Sequence, residues 1–159
     1  MTQVSIELDG RGRYLDDAAQ VWAEGTAARD GTEVAPLELA RVPLRTVLSS
    51  SPRTMLVVAL GERVVGFSLI APHTERTAAV RYLGVRPDGW GAGVGRHLMT
   101  ALPPLLAAAG FADAELDVYV DNPRAVRLYE SLGWQPLGDP APHPRNGRVE
   151  QRYRLDLPS

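Results

Sequence analysis

The stretch VRPDGWGAGVGR, residues 85–96, separates a predicted strand from a predicted helix. It carries glycine at every second position from Gly89 to Gly95. This spacing lets successive backbone N–H groups point into one concavity at the positive end of a helix, which is an anion site suited to phosphate. A flexible turn that binds nothing is the alternative that the pattern alone leaves open.

Spacing decides which phosphate ligand the stretch can bind. A Walker loop ends in Gly-Lys-Ser/Thr, and this sequence contains no lysine. A dinucleotide fingerprint requires G-x-G-x-x-G, but its third glycine position falls on Arg96 when counted from Gly91 and on Val94 when counted from Gly89. The Walker interpretation is therefore excluded, and a nucleotide-binding oxidoreductase is only a minor alternative.

The whole sequence predicts a mixed order of strands and helices. Hydrophobic alternation, helical spacing and glycine or proline punctuation divide it into these elements. The predicted strands are 4–8, 55–60, 63–70, 77–85, 114–120, 134–137 and 149–157. The predicted helices are 14–28, 36–48, 93–109 with a kink or break at Pro103-Pro104, and 122–132, and residues 138–147 are predicted as a loop. We expect one domain over residues 1–159, of the α+β (or α/β) class, with a mixed, mostly antiparallel central sheet of about six to seven strands flanked by about four helices.

Composition and charge exclude several classes of function. The chain has 159 residues, a net charge of −2 and no cysteine. The charge gives no reason to expect nucleic acid, and the lack of cysteine excludes disulfides, thiolate metal sites and an acyl-cysteine intermediate. The three histidines show no metal-ligand spacing, so we expect no metal. The longest apolar run, residues 55–60, is too short for a membrane span and the first ten residues lack a signal pattern, so we expect a cytoplasmic protein with no membrane partner.

Two motifs resemble those of a known superfamily. Residues 85–96 resemble the coenzyme A motif of the GNAT acyltransferases, Gln/Arg-x-x-Gly-x-Gly/Ala after a strand that ends in Val-x-Pro, although Trp90 stands at the Gln/Arg position. Residues 116–134, LDVYVDNPRAVRLYESLGW, look like the superfamily's Asn-x-x-Ala-x-x-x-Tyr-x-x-x-Gly-Phe/Trp segment. Two motifs in the expected order are more specific than either alone.

The resemblance implies an acyl-CoA-dependent N-acetyltransferase with a cleft between two splayed strands, 77–85 and 114–120. Acetyl-CoA (coenzyme A) would be the co-substrate, and a primary amine of a small molecule or peptide would attack the thioester directly in a ternary complex. Backbone groups of Leu83 and Val85 would pair with the pantetheine arm, and one such N–H would stabilise the oxyanion. The residues that the resemblance assigns to acyl-donor binding are Leu83, Gly84, Val85, Trp90, Gly91, Ala92, Gly93, Val94, Gly95, Arg96, Asn122, Ala125 and Tyr129.

The resemblance also implies a role for Tyr129 in the chemistry. Tyr129 lies two helical turns after Asn122, where its hydroxyl would protonate or hydrogen-bond the leaving thiolate. Packing of the helix on the sheet is the alternative role for Tyr129. Asn122 would reach the pantetheine arm, cap its own helix, or do both.

The general base is not determined by the sequence. Many members of the superfamily carry a Glu on the strand before the loop, and here that residue is Ala79. Tyr82, Glu75 and His73 are candidates, and ordered water or an amine that arrives neutral is an equal alternative. A non-catalytic CoA-binding module and a homodimer are also left open.

Overall fold

A computed structural model describes residues 3–159 as seven strands and four α-helices, whereas Met1 and Thr2, part of the amino-terminal stretch considered above, lie outside the described residues. The strands are β1 (Ser5–Asp9), β2 (Met55–Leu60), β3 (Val64–Pro72), β4 (Thr77–Val85), β5 (Asp113–Tyr119), β6 (Gln135–Pro142) and β7 (Val149–Asp156). The helices are α1 (Leu15–Asp30), α2 (Leu37–Leu48), α3 (Val94–Ala108) and α4 (Pro123–Ser131).

The strands form a sheet in the order β1-β2-β3-β4-β5-β7-β6. The ladders β1–β2, β2–β3, β5–β7 and β6–β7 are antiparallel. The β4–β5 ladder is parallel and pairs residues 77–79 with residues 113–115. A mixed sheet of seven strands with four helices confirms the predicted α+β class.

The chain divides into two compact units. The first contains the described residues up to Pro72 together with Arg81–Ala101, and the second contains His73–Val80 and Leu102–Ser159. The expectation of one domain over residues 1–159 stays a prediction.

The core of the first unit is built by α1, α2, β2 and β3. Leu44 of α2, Leu56 of β2 and Phe67 of β3 are fully buried in one hydrophobic cluster. Burying a side chain of this size stabilises a fold by about 1.5–3 kcal/mol. Trp22 of α1 packs edge-on against Phe67, with ring centroids 6.3 Å apart. The cluster therefore fixes α1 on β3.

Gly66 in β3 allows α3 to approach the sheet closely. A Cβ atom at Gly66 would lie 2.9 Å from Val94 Cγ1 and 3.1 Å from Leu98 Cδ1. Both side chains belong to the amino-terminal part of α3 and are buried. The contact with β3 therefore sets the position of the beginning of α3.

In the second unit, side chains of α4 and β7 lock α4 in place. The Tyr153 hydroxyl in β7 donates a 2.9 Å hydrogen bond to Glu130 Oε2 in α4. Tyr153 is buried, and burial together with this bond raises the pKa of its hydroxyl. Trp134, just after α4, is also buried and lies 6.3 Å from the Tyr129 ring, centroid to centroid. These contacts determine which face of α4 is turned inward.

β6 is longer than the sequence predicts, because it continues through part of the segment predicted as a loop. It runs Gln135–Pro142, every one of its residues is exposed, and it contains three prolines. An exposed strand carries no hydrophobic alternation, so the pattern gave no signal for it. The ladder with β7 is irregular between Leu137 and Ala141, where the Gln151 amide donates to the carbonyls of Leu137 and Gly138 at 3.3 and 3.1 Å.

Of the kink or break predicted at Pro103-Pro104, the break is wrong, because α3 continues through both prolines, and the kink stays a prediction. A proline inside a helix costs about 3 kcal/mol or more. Leu102 and Leu106 flank the prolines and are buried, which offsets that cost.

The end of β1 departs from the predicted alternation. Leu8 is 51% exposed, whereas Asp9 is buried. The Asp9 carboxylate accepts hydrogen bonds from the backbone N–H groups of Arg11, Arg13 and Tyr14, at 3.2, 3.0 and 2.7 Å. Asp9 is buried because it satisfies the donors of the turn that leads into α1.

Candidate functional site

The glycine-rich stretch forms a tight turn that leads directly into α3. A 3₁₀ turn, Pro87–Gly89, follows β4, and Gly91 and Gly93 have φ angles of 86° and 87°. These positive φ angles favour glycine over other residues. The first N–H groups of α3 have no carbonyl one turn earlier to bond, so they and the helix dipole point toward the turn.

The space in front of this turn is open. A Cβ atom at Gly93 would meet no atom within 4 Å. Gly91, Ala92 and Gly93 are exposed, and only Val94, at the start of the helix, is buried. Gly95 is half-buried in the first turn of α3 and Arg96 is exposed beside it. The turn is therefore an accessible cradle of backbone donors with room for an anionic group such as a pyrophosphate.

Trp90, at the position where the superfamily motif has Gln or Arg, braces the turn. Its indole Nε1–H donates a 2.9 Å hydrogen bond to the Val85 carbonyl, and 44% of the residue is exposed. A contact of Trp90 with the acyl donor stays a prediction.

The last residues of β4 are half-buried and closely packed. A Cβ atom at Gly84 would lie 2.7 Å from Phe67 Cε1, so Gly84 is required by packing. Leu83 and Val85 are half-buried. A Cβ atom at Gly25 of α1 would come within 3.5 Å of the Val85 carbonyl oxygen.

Asn122 begins α4 as the sequence predicts. Its side-chain oxygen accepts a 3.3 Å hydrogen bond from the backbone N–H of Ala125, and Pro123 occupies the first turn. The capping role is confirmed, and a pantetheine contact of Asn122 or Ala125 stays a prediction.

Tyr129 is buried on the inward face of α4. Only 8% of the residue is exposed. Burial raises the pKa of Tyr129 to about 12, so the hydroxyl is protonated throughout the physiological pH range. Tyr129 can therefore donate a hydrogen bond but cannot act as a base.

The β6–β7 loop is fastened to the β5–α4 junction beside Asn122. The Arg148 guanidinium lies 3.7 Å from the centroid of the Tyr119 ring and donates a 2.7 Å hydrogen bond to Asp121 Oδ1. The bond to Arg148 lowers the pKa of Asp121. Asn146 adds a 2.9 Å bond from its amide to the Tyr119 hydroxyl.

The candidate bases lie in different surroundings. Tyr82 is half-buried, with its ring edge-on to Trp22 at a centroid distance of 4.9 Å. Glu75 and His73 are exposed in the turn before β4, and Ala79 within β4 is half-buried. None of these observations tests a catalytic role, so Tyr82 and Glu75 stay predictions.

The buried Arg86 and the half-buried Glu24 form an ion pair that the sequence does not predict. The Arg86 guanidinium donates to both carboxylate oxygens of Glu24, at 2.9 and 2.8 Å. Arg86 was visible as the middle residue of the Val-x-Pro strand end, but its partner lies 62 residues earlier in the chain. Nothing in the sequence pairs them.

Within residues 3–159, no group of three or more His, Asp or Glu residues is arranged to hold a metal ion. No described helix has the length and apolar character needed to cross a bilayer.

Comparison with known proteins identifies the class. Residues 17–134 match the Acetyltransferase (GNAT) family. The fold and the glycine turn agree with this match. The chain belongs to the GNAT acetyltransferase family.

Curated relatives align over about half of the chain. A mycothiol acetyltransferase of Streptomyces scabiei is 39% identical over 84 residues, which cover 52% of this chain and 27% of that protein. Acetyltransferase SG1711 of Sodalis glossinidius is 33% identical over 88 residues, which cover 55% of this chain and 61% of that protein. The aligned segment is thus only part of these relatives.

Solved structures share the fold along almost the entire chain. The ribosomal-protein-S18-alanine N-acetyltransferase of Escherichia coli has a TM-score of 0.74 at 17% identity, covering 99% of this chain and 96% of that one. The Salmonella typhimurium protein yncA, solved with its cofactor acetyl-CoA, has a TM-score of 0.74 at 16% identity, with the same coverage. At these identities the likeness supports the fold alone.

Proposed function

We propose that this chain transfers an acetyl group from acetyl-CoA to a primary amine of a small molecule or peptide, by direct attack of the amine in a ternary complex. The observation that carries the proposal is the open cradle at the start of α3, with Gly91 and Gly93 at positive φ and no atom within 4 Å of a Cβ built on Gly93. Membership of the GNAT family supports acetyl-CoA as the ligand of that cradle.

The cradle would bind the donor through backbone groups. The N–H groups of Gly91, Gly93, Val94 and Gly95 would hold the pyrophosphate, since they need no side-chain charge to do so, whereas the N–H of Ala92 donates to the Gly89 carbonyl at 3.1 Å. Backbone groups of Leu83 and Val85 would pair with the pantetheine amides in the manner of an added strand. One of these N–H groups would also stabilise negative charge on the carbonyl oxygen during the reaction.

The donor supplies a thioester, which is an acyl group already activated toward amines. Tyr129 would donate a hydrogen bond to the sulfur as negative charge develops there. The raised pKa keeps this hydroxyl protonated, so it has a proton to offer to the sulfur. Asn122 would cap the first turn of α4 and also face the pantetheine arm.

Removal of the amine proton would not require a single protein base. Ala79 stands where many family members carry Glu. Water or a neutral incoming amine would serve, with Glu75 and Tyr82 as the side-chain candidates. Since the chain has no cysteine, an acyl-cysteine intermediate is excluded.

Release of the coenzyme A thiol, followed with a thiol-reactive dye, tests the proposal. The amine panel has a small-molecule arm that includes the acceptor of mycothiol acetyltransferase, and a peptide arm that includes an N-terminal alanine peptide. Amine-dependent thiol release by the wild-type chain, absent in Gly93→Glu, is the expected result. Binding of coenzyme A without turnover of any amine would favour a non-catalytic binding module, and thermal stabilisation by NADH rather than coenzyme A would favour an oxidoreductase.

A further inference from the structure

Arg86 is a charged residue that is almost completely buried at the end of β4. Only 6% of it is exposed, and it lies between Val85 and the 3₁₀ turn that opens the glycine-rich stretch. Arginine is rarely buried to this extent unless its charge is paired. The position of Arg86 therefore requires a specific set of partners.

Three groups fix Arg86 from different directions. Its Nη1 donates to both oxygens of Glu24 in α1, its Nε donates to the Val64 carbonyl in β3 at 2.7 Å, and its backbone N–H donates to the Val65 carbonyl at 2.8 Å. The residue is thus bonded to a helix and to a neighbouring strand at once. With the backbone and the side chain both held, the chain direction at Val85 is determined.

The partner carboxylate is held as firmly as the guanidinium. The Gln20 amide donates a 2.9 Å hydrogen bond to Glu24 Oε2 from one turn earlier in α1. Partial burial opposes ionisation of Glu24, but the hydrogen bonds from Gln20 and Arg86, with the charges of Arg86 and Arg63, hold its pKa below the usual value. Glu24 is therefore ionised at neutral pH.

The pair is a weak source of stability, because the cost of burying the Arg86 charge offsets its attraction to the half-buried Glu24. Two apolar side chains of similar size would fill the same space at least as well. Apolar side chains would not specify where the end of β4 lies relative to α1 and β3, because their contacts have no preferred direction. The hydrogen bonds of Arg86 do specify it.

We infer that Arg86 and Glu24 are positioning residues for acyl-donor binding, which hold Val85 and the start of the glycine-rich turn in the geometry that the donor requires. This inference rests on the proposed function. Neither residue contacts the donor in this assignment, because Arg86 is buried and its bonds go to α1 and β3. Loss of the pair should therefore weaken donor binding and leave the chemistry of bound donor largely unchanged.

A second ion pair on the same turn offers a matched control. Arg63 donates a 2.9 Å hydrogen bond to Asp88 within the 3₁₀ turn, but the two side chains are 58% and 68% exposed. Exposed pairs of this kind contribute little. Arg63→Met removes one charge and one bond at the turn and leaves every hydrogen bond of the Arg86–Glu24 pair in place, although it also removes the long-range attraction of Arg63 for Glu24.

The experiment compares the wild type with Arg86→Met, Arg86→Lys, the double variant Glu24→Leu/Arg86→Met and Arg63→Met. The double variant removes both charges, so it leaves neither without its partner and is expected to fold where a single substitution does not. The dissociation constant of coenzyme A is measured by calorimetry, and KM for acetyl-CoA and kcat are measured at a saturating amine concentration. Thermal unfolding gives the folded fraction of each protein.

The double variant and Arg86→Met should raise KM and the dissociation constant by about tenfold to a hundredfold, as expected for a displacement of the order of 1 Å, with kcat within about threefold. Arg86→Lys keeps the charge but not the planar set of donors, so its KM and dissociation constant should lie between those of the two Met variants and those of the wild type. Arg63→Met should change both constants by less than about twofold. A double variant that is folded and binds coenzyme A as tightly as the wild type would overturn the inference, and so would an equal loss of kcat and affinity in proportion to the folded fraction. A wild-type chain that binds no coenzyme A would instead overturn the proposed function.

Discussion

Replacing Tyr129 by phenylalanine separates the two roles that the sequence left open for this residue. The substitution removes one hydroxyl and keeps the ring of a residue that is 8% exposed. A neutral hydrogen-bonding group contributes about 0.5–1.5 kcal/mol to stability. We therefore expect Tyr129→Phe to change the free energy of unfolding by less than about 1.5 kcal/mol.

The pKa of Tyr129 sets the expected effect on the rate. Burial raises it to about 12, whereas a thiol such as that of cysteine has a pKa near 8.5. Full proton transfer from the phenol to a thiolate is unfavourable by about 3.5 pKa units, or roughly 5 kcal/mol. The contribution left to Tyr129 is a hydrogen bond to a developing charge, about 1.5–3 kcal/mol, which corresponds to a loss of roughly 10- to 150-fold in kcat.

Single-turnover kinetics with saturating acetyl-CoA measures this loss without interference from product release. Tyr153→Phe is the matched control, because Tyr153 is also a buried residue of the second unit and its hydroxyl donates to Glu130 rather than facing the proposed site. It should lose about 1.5–3 kcal/mol of stability and keep most of its kcat. A single-turnover rate that is unchanged in Tyr129→Phe would return this residue to a packing role, and a loss beyond about 10⁴-fold would mean that the phenol transfers its proton after all.

The raised pKa also predicts how stability depends on alkaline pH. The pKa of Tyr129 in the folded state exceeds the unfolded value near 10. Its contribution to the free energy of unfolding is therefore fully present below pH 10 and is lost as the pH rises toward 12. The difference in unfolding free energy between wild type and Tyr129→Phe, measured by denaturant titration, should therefore be constant up to pH 10 and shift in favour of the variant above it. A constant difference up to pH 11.5 would contradict the assigned pKa.

Three other substitutions test the site. Gly93→Glu should abolish coenzyme A binding in calorimetry without unfolding the chain, because the new side chain enters the open space of the cradle. Its control is Gly138→Glu, at a similar positive φ of 74° with equally open surroundings, which should bind coenzyme A normally. Normal binding by Gly93→Glu would refute the cradle. Glu75→Gln and Tyr82→Phe should each keep kcat/KM for the amine within roughly tenfold, about 1.4 kcal/mol, with a pH profile that follows the amine itself, and a thousandfold loss in Glu75→Gln would make that residue the base. Gly66→Ala should lower the free energy of unfolding by about 1–3 kcal/mol and weaken coenzyme A binding, because the added methyl group pushes the start of α3 away from β3. Unchanged thermal unfolding together with unchanged affinity would show that the helix adapts without cost.

The sequence predicted the elements whose signals are local. Asn122-Pro123 marks a helix start wherever it occurs, since the side-chain cap and the missing N–H both act within one turn, and α4 begins there. β4 has the predicted bounds because a polar turn and a proline delimit it. The resemblance to the superfamily rested on two motifs in the expected order. The family match over residues 17–134 confirms that resemblance.

The features that the sequence did not predict depend on distant partners. The Arg86–Glu24 pair joins residues 62 positions apart, and neither residue type has a pattern that indicates the other. Asp9 appeared to end an alternating strand, yet its burial follows from the backbone donors of the next turn. At the prolines of α3 a strong local signal for a helix end is present, but the burial of the neighbouring leucines outweighs it.

The composition of β6 has a consequence for self-association. This strand lies at the end of the sheet, and three of its eight residues are prolines, which have no N–H to offer a strand added from outside. An irregular ladder and an acidic side chain, Asp139, add to this protection. A second copy of the chain cannot therefore extend the sheet by continuous pairing along β6, so a homodimer would have to use contacts other than an added strand at this edge.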